Sequence, residues 1–481
     1  MSSSILVAPV LTIPGLSAYE QDVLNECVAQ LQAKALINDR RSRMFEGRYN
    51  AKHLGIAVPP SLERVETTLM WPAKAVEALE AHINLEGFVV PNGTAADFGI
   101  DKIWRENRLG IEATQAHTSS LKYGPSFLAV LAGGPGEPEV VIRNLSATSS
   151  TALWDANKRR ASAAFTITGT DGGFVSEFIL FLDDKVLTCS RGFDGVWNIE
   201  EARHDLGRCP VAILPFKPSA EHPLGRSRIT KGVMSITERV ARTLLRMEIS
   251  AEFYSSPQRW LMGADDSAFL NEDGSVRSGW SVQVSKLLAI GADEDGNVPT
   301  TGQYAQATMQ PHMDMVRSDA ALFSGETNIP VSALGIIHDN PASDAAMQSA
   351  YMALFSEAER AQEPWGAGWV DAMLMAIEIR DGRDAADSLT GLNAKWARVD
   401  APTMAARGDF VVKQISAFPW MAQSDVALEE SGYDQTTIQR LRADRQRGQV
   451  TSLVSNIQAA ASSASADPAI ASLAAERGNA V

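Results

Sequence analysis

Between Ile229 and Ala251 the apolar residues Ile229, Val233, Ile236, Val240, Leu244, Met247 and Ala251 advance by 4, 3, 4, 4, 3 and 4 positions. That spacing keeps one face of a 3.6-residue period for about 25 residues, which predicts a helix of roughly 38 Å. It ends before Pro257. A second helix is predicted where Met309, Met313, Val316, Ala320 and Phe323 share a face, stopping near Gly325. Asn328-Ile329-Pro330 and His338-Asp339-Asn340-Pro341 then bracket a loop that opens a third helix, from about Ala342 to Arg380. Pro364 lies inside that pattern, where it removes a backbone donor and predicts a kink.

The rest of the chain is organised around these rods. From Ser17 to about Arg43, Val23, Leu24, Val28, Leu31, Ala35 and Leu36 recur at helical spacing, with Ser17 as N-cap. Further helices are expected from about Ala73 to His82 and around Ile103, Trp104 and Leu109. The middle changes character. Ser126 to Leu131, Glu139 to Leu145, Ala163 to Thr168, Phe174 to Phe181 and Lys185 to Cys189 are short β-branched or aromatic runs separated by Gly-rich turns, which predicts an antiparallel meander. Ser256 to about Ala307 reads as a small β insertion between helices, and the Ala/Ser-rich last 30 residues as a frayed or disordered tail. The fold class is mixed α+β.

At 481 residues the chain should hold two to four compact units, and its 45% hydrophobic content supplies ample core. Cys27, Cys189 and Cys209 are too few and too scattered for a disulfide framework, so an intracellular origin is expected. The apolar stretch Ile5 to Leu16 lacks a basic leader and is broken by Pro9 and Pro14, so neither a signal peptide nor a membrane span is expected. The net charge of −15 has the wrong sign for gripping phosphate by bulk attraction. Any nucleic-acid contact must be local or weak.

Signals for catalysis are missing from the sequence. The seven histidines are dispersed, with no pair at i, i+4, and His204 near Cys189 and Cys209 lacks ligand spacing, so no metal is expected. Neither GxxxxGK[ST] nor GxSxG occurs. Gly133-Gly134-Pro135-Gly136 reads as a hairpin turn rather than an anion nest. Asp293-Glu294-Asp295-Gly296-Asn297 has its Gly too early and Tyr304 where a calcium loop needs Glu, so it reads as a solvated turn. Two basic patterns remain: a stripe of Arg228, Lys231, Arg239, Arg242 and Arg246 along the long helix, and a cluster of Arg440, Arg442, Arg445 and Arg447 beside the tail. Both read first as solvated surface, and for the stripe the sharper alternative is ion pairing between subunits or transient phosphate contact.

Several segments, taken in order, resemble the portal, or head-to-tail connector, proteins of long-tailed bacteriophages. Leu121-Lys122-Tyr123-Gly124-Pro125-Ser126-Phe127 is similar to that family's Tyr-Gly strand entry, and His222-Pro223-Leu224-Gly225-Arg226-Ser227 to its lead into a long helix. Ser256-Pro257-Gln258-Arg259-Trp260 resembles the step that follows, and Asn328 to Gly335 with Asn340 to Ala346 its Ile-Pro, Leu-Gly and Asn-Pro-x-Ser elements. Asp409 with Lys413, and Glu429 to Tyr433, resemble its C-terminal helical region, so the likeness spans about 15–447.

The resemblance implies a ring, commonly of twelve subunits, at one capsid vertex of the virion, made in the host cytoplasm, through which double-stranded DNA is packaged and ejected with weak non-specific contact. It implies a terminase motor, a head-tail adaptor, and major capsid and scaffold proteins as partners, with no enzyme activity, cofactor or membrane. By position it implies a wing over 1–227, stem helices over 228–252 and 308–327, and a clip over 253–307. A tunnel loop region would follow over 328–344, a kinked helix and wing return over 345–427, and a crown with flexible tail over 428–481. The channel loop itself would comprise Gly335, Ile336, Ile337, His338, Asp339, Asn340, Pro341 and Ser343. An acidic lumen that repels the duplex would suit sliding. The alternatives are a virion structural or head-assembly protein without a conduit and, further off, a hydrolase.

Overall fold

The computed structural model describes residues 12–49, 67–91, 95–255, 259–262, 275, 300–303, 308–336, 344–400, 404–433 and 435–465. The chain divides into two units, Met1–Val399 and Asp400–Val481. In the first, α1 (Ala18–Phe45) begins with a reciprocal cap: Ser17 Oγ accepts from the Glu20 N–H, and the Glu20 carboxylate accepts from the Ser17 N–H. Val23, Leu24, Cys27 and Val28 of α1 are buried, whereas Leu36, expected on the same face, is exposed. Next come α2 (Trp71–Glu80), β1 (Leu85–Val89), α3 (Ile100–Glu106) and α4 (Leu109–Tyr123).

The meander expected in the middle is two sheets rather than one. Strands β2 (Pro125–Ala132) and β3 (Val140–Leu145) form a hairpin, followed by β4 (Ser150–Asp155), β5 (Arg160–Asp171), β6 (Phe174–Phe181), β7 (Lys185–Arg191), β8 (Trp197–Arg203) and β9 (Val211–Pro215). The five strands β4 to β8 run as an antiparallel meander, and β9 returns to β2, giving a three-stranded sheet in the order β3-β2-β9. Helix α1 covers the meander, packing its buried face against Phe165, Phe178, Leu180, Leu187 and Cys189. The 133–136 turn is a hairpin connection, with Gly133 N–H bonded to Glu139 O and Gly134 N–H to the Glu137 carboxylate. Strand β3 is an outer strand, yet two groups on its free side are occupied. The Asn107 amide donates to Val140 O at 2.9 Å and accepts from Ile142 N–H at 2.8 Å.

Beyond β9 come α5 (Lys231–Ser255), β10 (Arg259–Met262) paired with β11 (Thr300–Gln303), α6 (Gln310–Thr327), α7 (Asp344–Asp381), α8 (Arg383–Ser388) and β12 (Asn393–Trp396), which pairs with β1. The β10–β11 pair fits the β insertion expected over 256–307, most of which, including the 293–297 turn, lies outside the described residues. Helix α7 continues through Pro364. The main core joins α2, α4, β2, β9, α5, α6 and α7, with Trp365 and Trp369 fully buried in it.

The second unit is helical: α9 (Met404–Ala417), α10 (Asp425–Glu430) and α11 (Gln435–Ser465). Asp409 and Lys413 lie on α9, and Glu429 to Tyr433 cover the end of α10. Residues 452–465, expected to fray, are helical, because an Ala-rich sequence with no Gly or Pro between Gly448 and Ser465 sustains the backbone pattern. Residues 466–481 lie outside the described residues.

Candidate functional site

The two long helices α5 and α6 pack antiparallel. Thr230, just before α5, donates to Glu326 at 2.7 Å near the end of α6, and Arg239 donates to Asp319 at 3.0 Å further along. The buried face of α5 is Val233, Met234, Thr237, Val240, Ala241 and Leu245, rotated from the purely apolar face toward Thr237. Thr237 and Thr243 can be buried because each hydroxyl donates to the carbonyl four residues back, Val233 at 2.7 Å and Arg239 at 3.1 Å.

The basic stripe does not survive as read. Lys231 is exposed at the first turn of α5, Arg239 is committed to Asp319, and Arg242 and Arg246 are half-buried. Arg228 lies before the helix and is 4% exposed, so it belongs to no surface stripe. Its guanidinium donates to Ala75 O of α2, to Thr327 O at the end of α6, and to the Glu357 carboxylate of α7. Glu357 also receives Lys217 Nζ at 2.6 Å and the Asn328 amide at 3.1 Å. Burial alone would raise the Glu357 carboxyl, but the Arg228 charge and the hydrogen bonds from Arg228 and Lys217 outweigh it and hold it below the usual carboxylate range. One ionic hub therefore fixes where α5 begins, where α6 ends and how α7 lies over both. Glu357 was missed because its partner is 129 residues away. Its signal was a lone acid between Leu354, Ala358 and Ala361 on an apolar face.

Two motifs that looked separate meet beside this hub. Phe216 N–H bonds to Gly124 O at 2.8 Å, and Arg226 N–H to Phe216 O at 2.7 Å. Gly225 has φ +83°, and a Cβ there would stand 2.5 Å from Phe216 O. Only glycine fits, so the Tyr123-Gly124 and Pro223-Leu224-Gly225 segments are the two sides of one backbone crossing that aims Arg228 inward.

The candidate channel loop is rooted here. After Asn328 caps α6 with φ 57°, Val331–Leu334 forms a 3-10 turn closed by Gly335 at φ +83°. Ile336 packs half-buried against the main core. Ile337, His338, Asp339, Asn340, Pro341 and Ser343 lie outside the described residues. On the far side, Ala346 to Ala350 of α7 are all exposed, and burial begins only at Leu354.

The buried half of α7 is pinned by its tryptophans. Trp365 Nε1 donates to Ser120 Oγ at 3.1 Å, and Trp369 Nε1 donates to His117 Nε2 at 3.0 Å. The His117 ring stacks on Trp365 with centroids 4.4 Å apart. Gly368 lets α7 approach β9, since a Cβ there would lie 2.4 Å from Ile213 O. Burial pushes the His117 imidazole down to about 3, against a smaller opposing effect of its backbone hydrogen bond to Ile83. The folded state thus holds His117 neutral while the unfolded chain protonates it near its ordinary value of about 6.5. Stability from this group is present above that value and is lost as pH falls toward 3, with a slope approaching about 1.4 kcal/mol per pH unit. Urea midpoints measured at pH 7 and pH 5 should fall further for the wild type than for His117→Phe. Equal slopes in the two proteins would remove His117 as the source.

In the second unit Arg440, Arg442, Arg445 and Arg447 are exposed on α11. They are not four free charges: Arg442 Nε donates to Asp425 at 2.9 Å, and Arg447 pairs with Asp444 at 3.3 Å. Among the described residues no group of three or more His, Cys, Asp or Glu could hold a metal, and Cys27, Cys189 and Cys209 are buried thiols. No described helix is long and apolar enough to cross a membrane.

A family model described as "Phage portal protein, SPP1 Gp6-like" matches residues 38–399, ending where the first unit ends. The portal protein of Mycobacterium phage L5 is 24% identical over 411 residues, covering 83% of this chain and 84% of that one. That of Mycobacterium phage D29 is 23% identical over 429 residues, covering 86% and 87%. Among solved structures, a chain from the "Neck of native GTA particle computed with C12 symmetry" aligns over 76% of this chain and 90% of its own, at 12% identity and a TM-score of 0.37.

Proposed function

Since the chain belongs to the SPP1 Gp6-like phage portal protein family, we propose that it assembles with copies of itself into a ring at one capsid vertex and forms the conduit for DNA packaging and ejection. The observation that carries this reading is the family match over residues 38–399, most of the first unit, which contains the paired helices α5 and α6 and both roots of the candidate loop. On this reading α5 and α6 are the stem and the region holding β10 and β11 the clip. Residues 335–343 form the tunnel loop, and the second unit contains the crown.

Three physical features support it. A net charge of −15, multiplied around a ring, gives a conduit wall that holds polyanionic DNA weakly enough to slide. The first turns of α7 are exposed, as they would be where the single chain leaves a surface for neighbours or the lumen. The Arg228 hub ties the loop root to the stem and so fixes the loop base. A separate terminase motor supplies the work, an adaptor continues the conduit toward the tail, and capsid and scaffold proteins surround the wing. Negative-stain images of the purified protein test the ring: annular particles with a central hole are expected, and a population of stable monomers would overturn it.

A further inference from the structure

Helix α11 changes chemistry at Gly448. Before it, Arg440, Arg442, Asp444, Arg445 and Arg447 crowd little more than two turns. From Gly448 to Ser465 no Asp, Glu, Lys or Arg occurs. Within this neutral stretch Val450, Leu453, Val454 and Ile457 are 62%, 61%, 50% and 61% exposed, an apolar stripe with nothing packed on it. At 3.6 residues per turn they span an arc of roughly 100°. Gly448, Ser452 and Ser455 are also exposed and fall roughly opposite that arc, so the other side of the helix is lined by small residues.

We propose that this stretch is an intersubunit contact in which the Val450, Leu453, Val454 and Ile457 face of one copy packs onto the Gly448, Ser452 and Ser455 face of the next. The proposal rests on the ring reading above. Three points favour a second copy of this chain as the occupant. Identical segments bring identical charges together, and this exposed segment carries none, so self-contact costs no like-charge repulsion. A ring needs a heterologous contact with two different faces on every subunit, and α11 offers a projecting face and a shallow one on opposite sides. Small residues let a neighbouring helix approach closely enough for long aliphatic side chains to fill the groove. The arginine-rich first half, held in its own unit through Ile438 and the Arg442–Asp425 pair, lies outside the contact.

Disulfide trapping reads this geometry directly, because the native cysteines are buried and inert and the wild type gives a clean background. Equivalent residues on neighbouring parallel helices are about 8–10 Å apart, too far for a disulfide, whereas facing residues are close enough. The double variants Ser452→Cys/Leu453→Cys and Ser455→Cys/Ile457→Cys, oxidised in the full-length protein, should each give a ladder of covalent oligomers on a denaturing gel. The four single variants should remain monomeric on that gel. Rings seen by microscopy without a ladder from either double variant would overturn the contact and leave the ring standing. Covalent dimers from Leu453→Cys alone would also overturn it, since they require like faces to meet. Absence of rings in the wild type would instead remove the ring reading itself.

Discussion

Arg228→Ala should lower the unfolding free energy by about 3–5 kcal/mol, read as a shift in urea midpoint at constant slope. The loss arises because the partners stay behind. Glu357 is 7% exposed, and without the guanidinium it is left with Lys217 and Asn328, while the carbonyls of Ala75 and Thr327 lose their donor. Breaking one side of a buried pair costs more than the pair contributes, because a desolvated charge remains. A double-mutant cycle with Glu357→Gln isolates the coupling. Glu357→Gln should cost much less in the Arg228→Ala background than in the wild type, and equal costs in both would show that the two side chains do not work together. The pH dependence has a definite sign. The folded Glu357 carboxyl is held below its usual range, so its contribution is present above the unfolded value and is lost as pH falls through the folded one. The wild type should therefore lose more stability than the double variant between neutral pH and the acid limb.

The second large effect concerns DNA. Replacing residues 337–343 by a short Gly-Ser linker should leave rings and unfolding midpoint unchanged while packaged DNA falls to background. None of the described residues that build the main core is replaced. Ile336 still seats on that core, Gly335 still makes its left-handed turn, and the hub at Arg228 and Glu357 is untouched. Normal packaging by assembled rings would remove the assignment of this segment to the channel. The expected contact is steric or through backbone groups, because His338, Asp339 and Asn340 offer little positive charge.

What could be read from the sequence follows the range of the forces involved. The Ser17–Glu20 cap, the 133–136 turn and the periodic helices depend on residues a few positions apart, and all are where local chemistry puts them. Strand β9 was not anticipated as a partner of β2, because nothing local says that Val211 to Pro215 will return past a whole five-stranded sheet to pair with it. Arg228 was misplaced for the same reason. Counting residues put it on the stripe of a helix that in fact starts at Lys231, and only the fold brings it to Glu357. Within the segments that carried the family likeness, Gly225 is a backbone requirement, since its left-handed φ and the close approach of Phe216 O leave no room for a side chain.

The amide of Asn107 on the outer strand β3 has a consequence for the assembled particle. Subunits gathered at one vertex stand shoulder to shoulder at a local concentration where any open ribbon of peptide groups invites its neighbour to zip onto it. By answering two of those groups from within, one asparagine shortens the open ribbon on that flank and makes edge-to-edge zipping there less favourable.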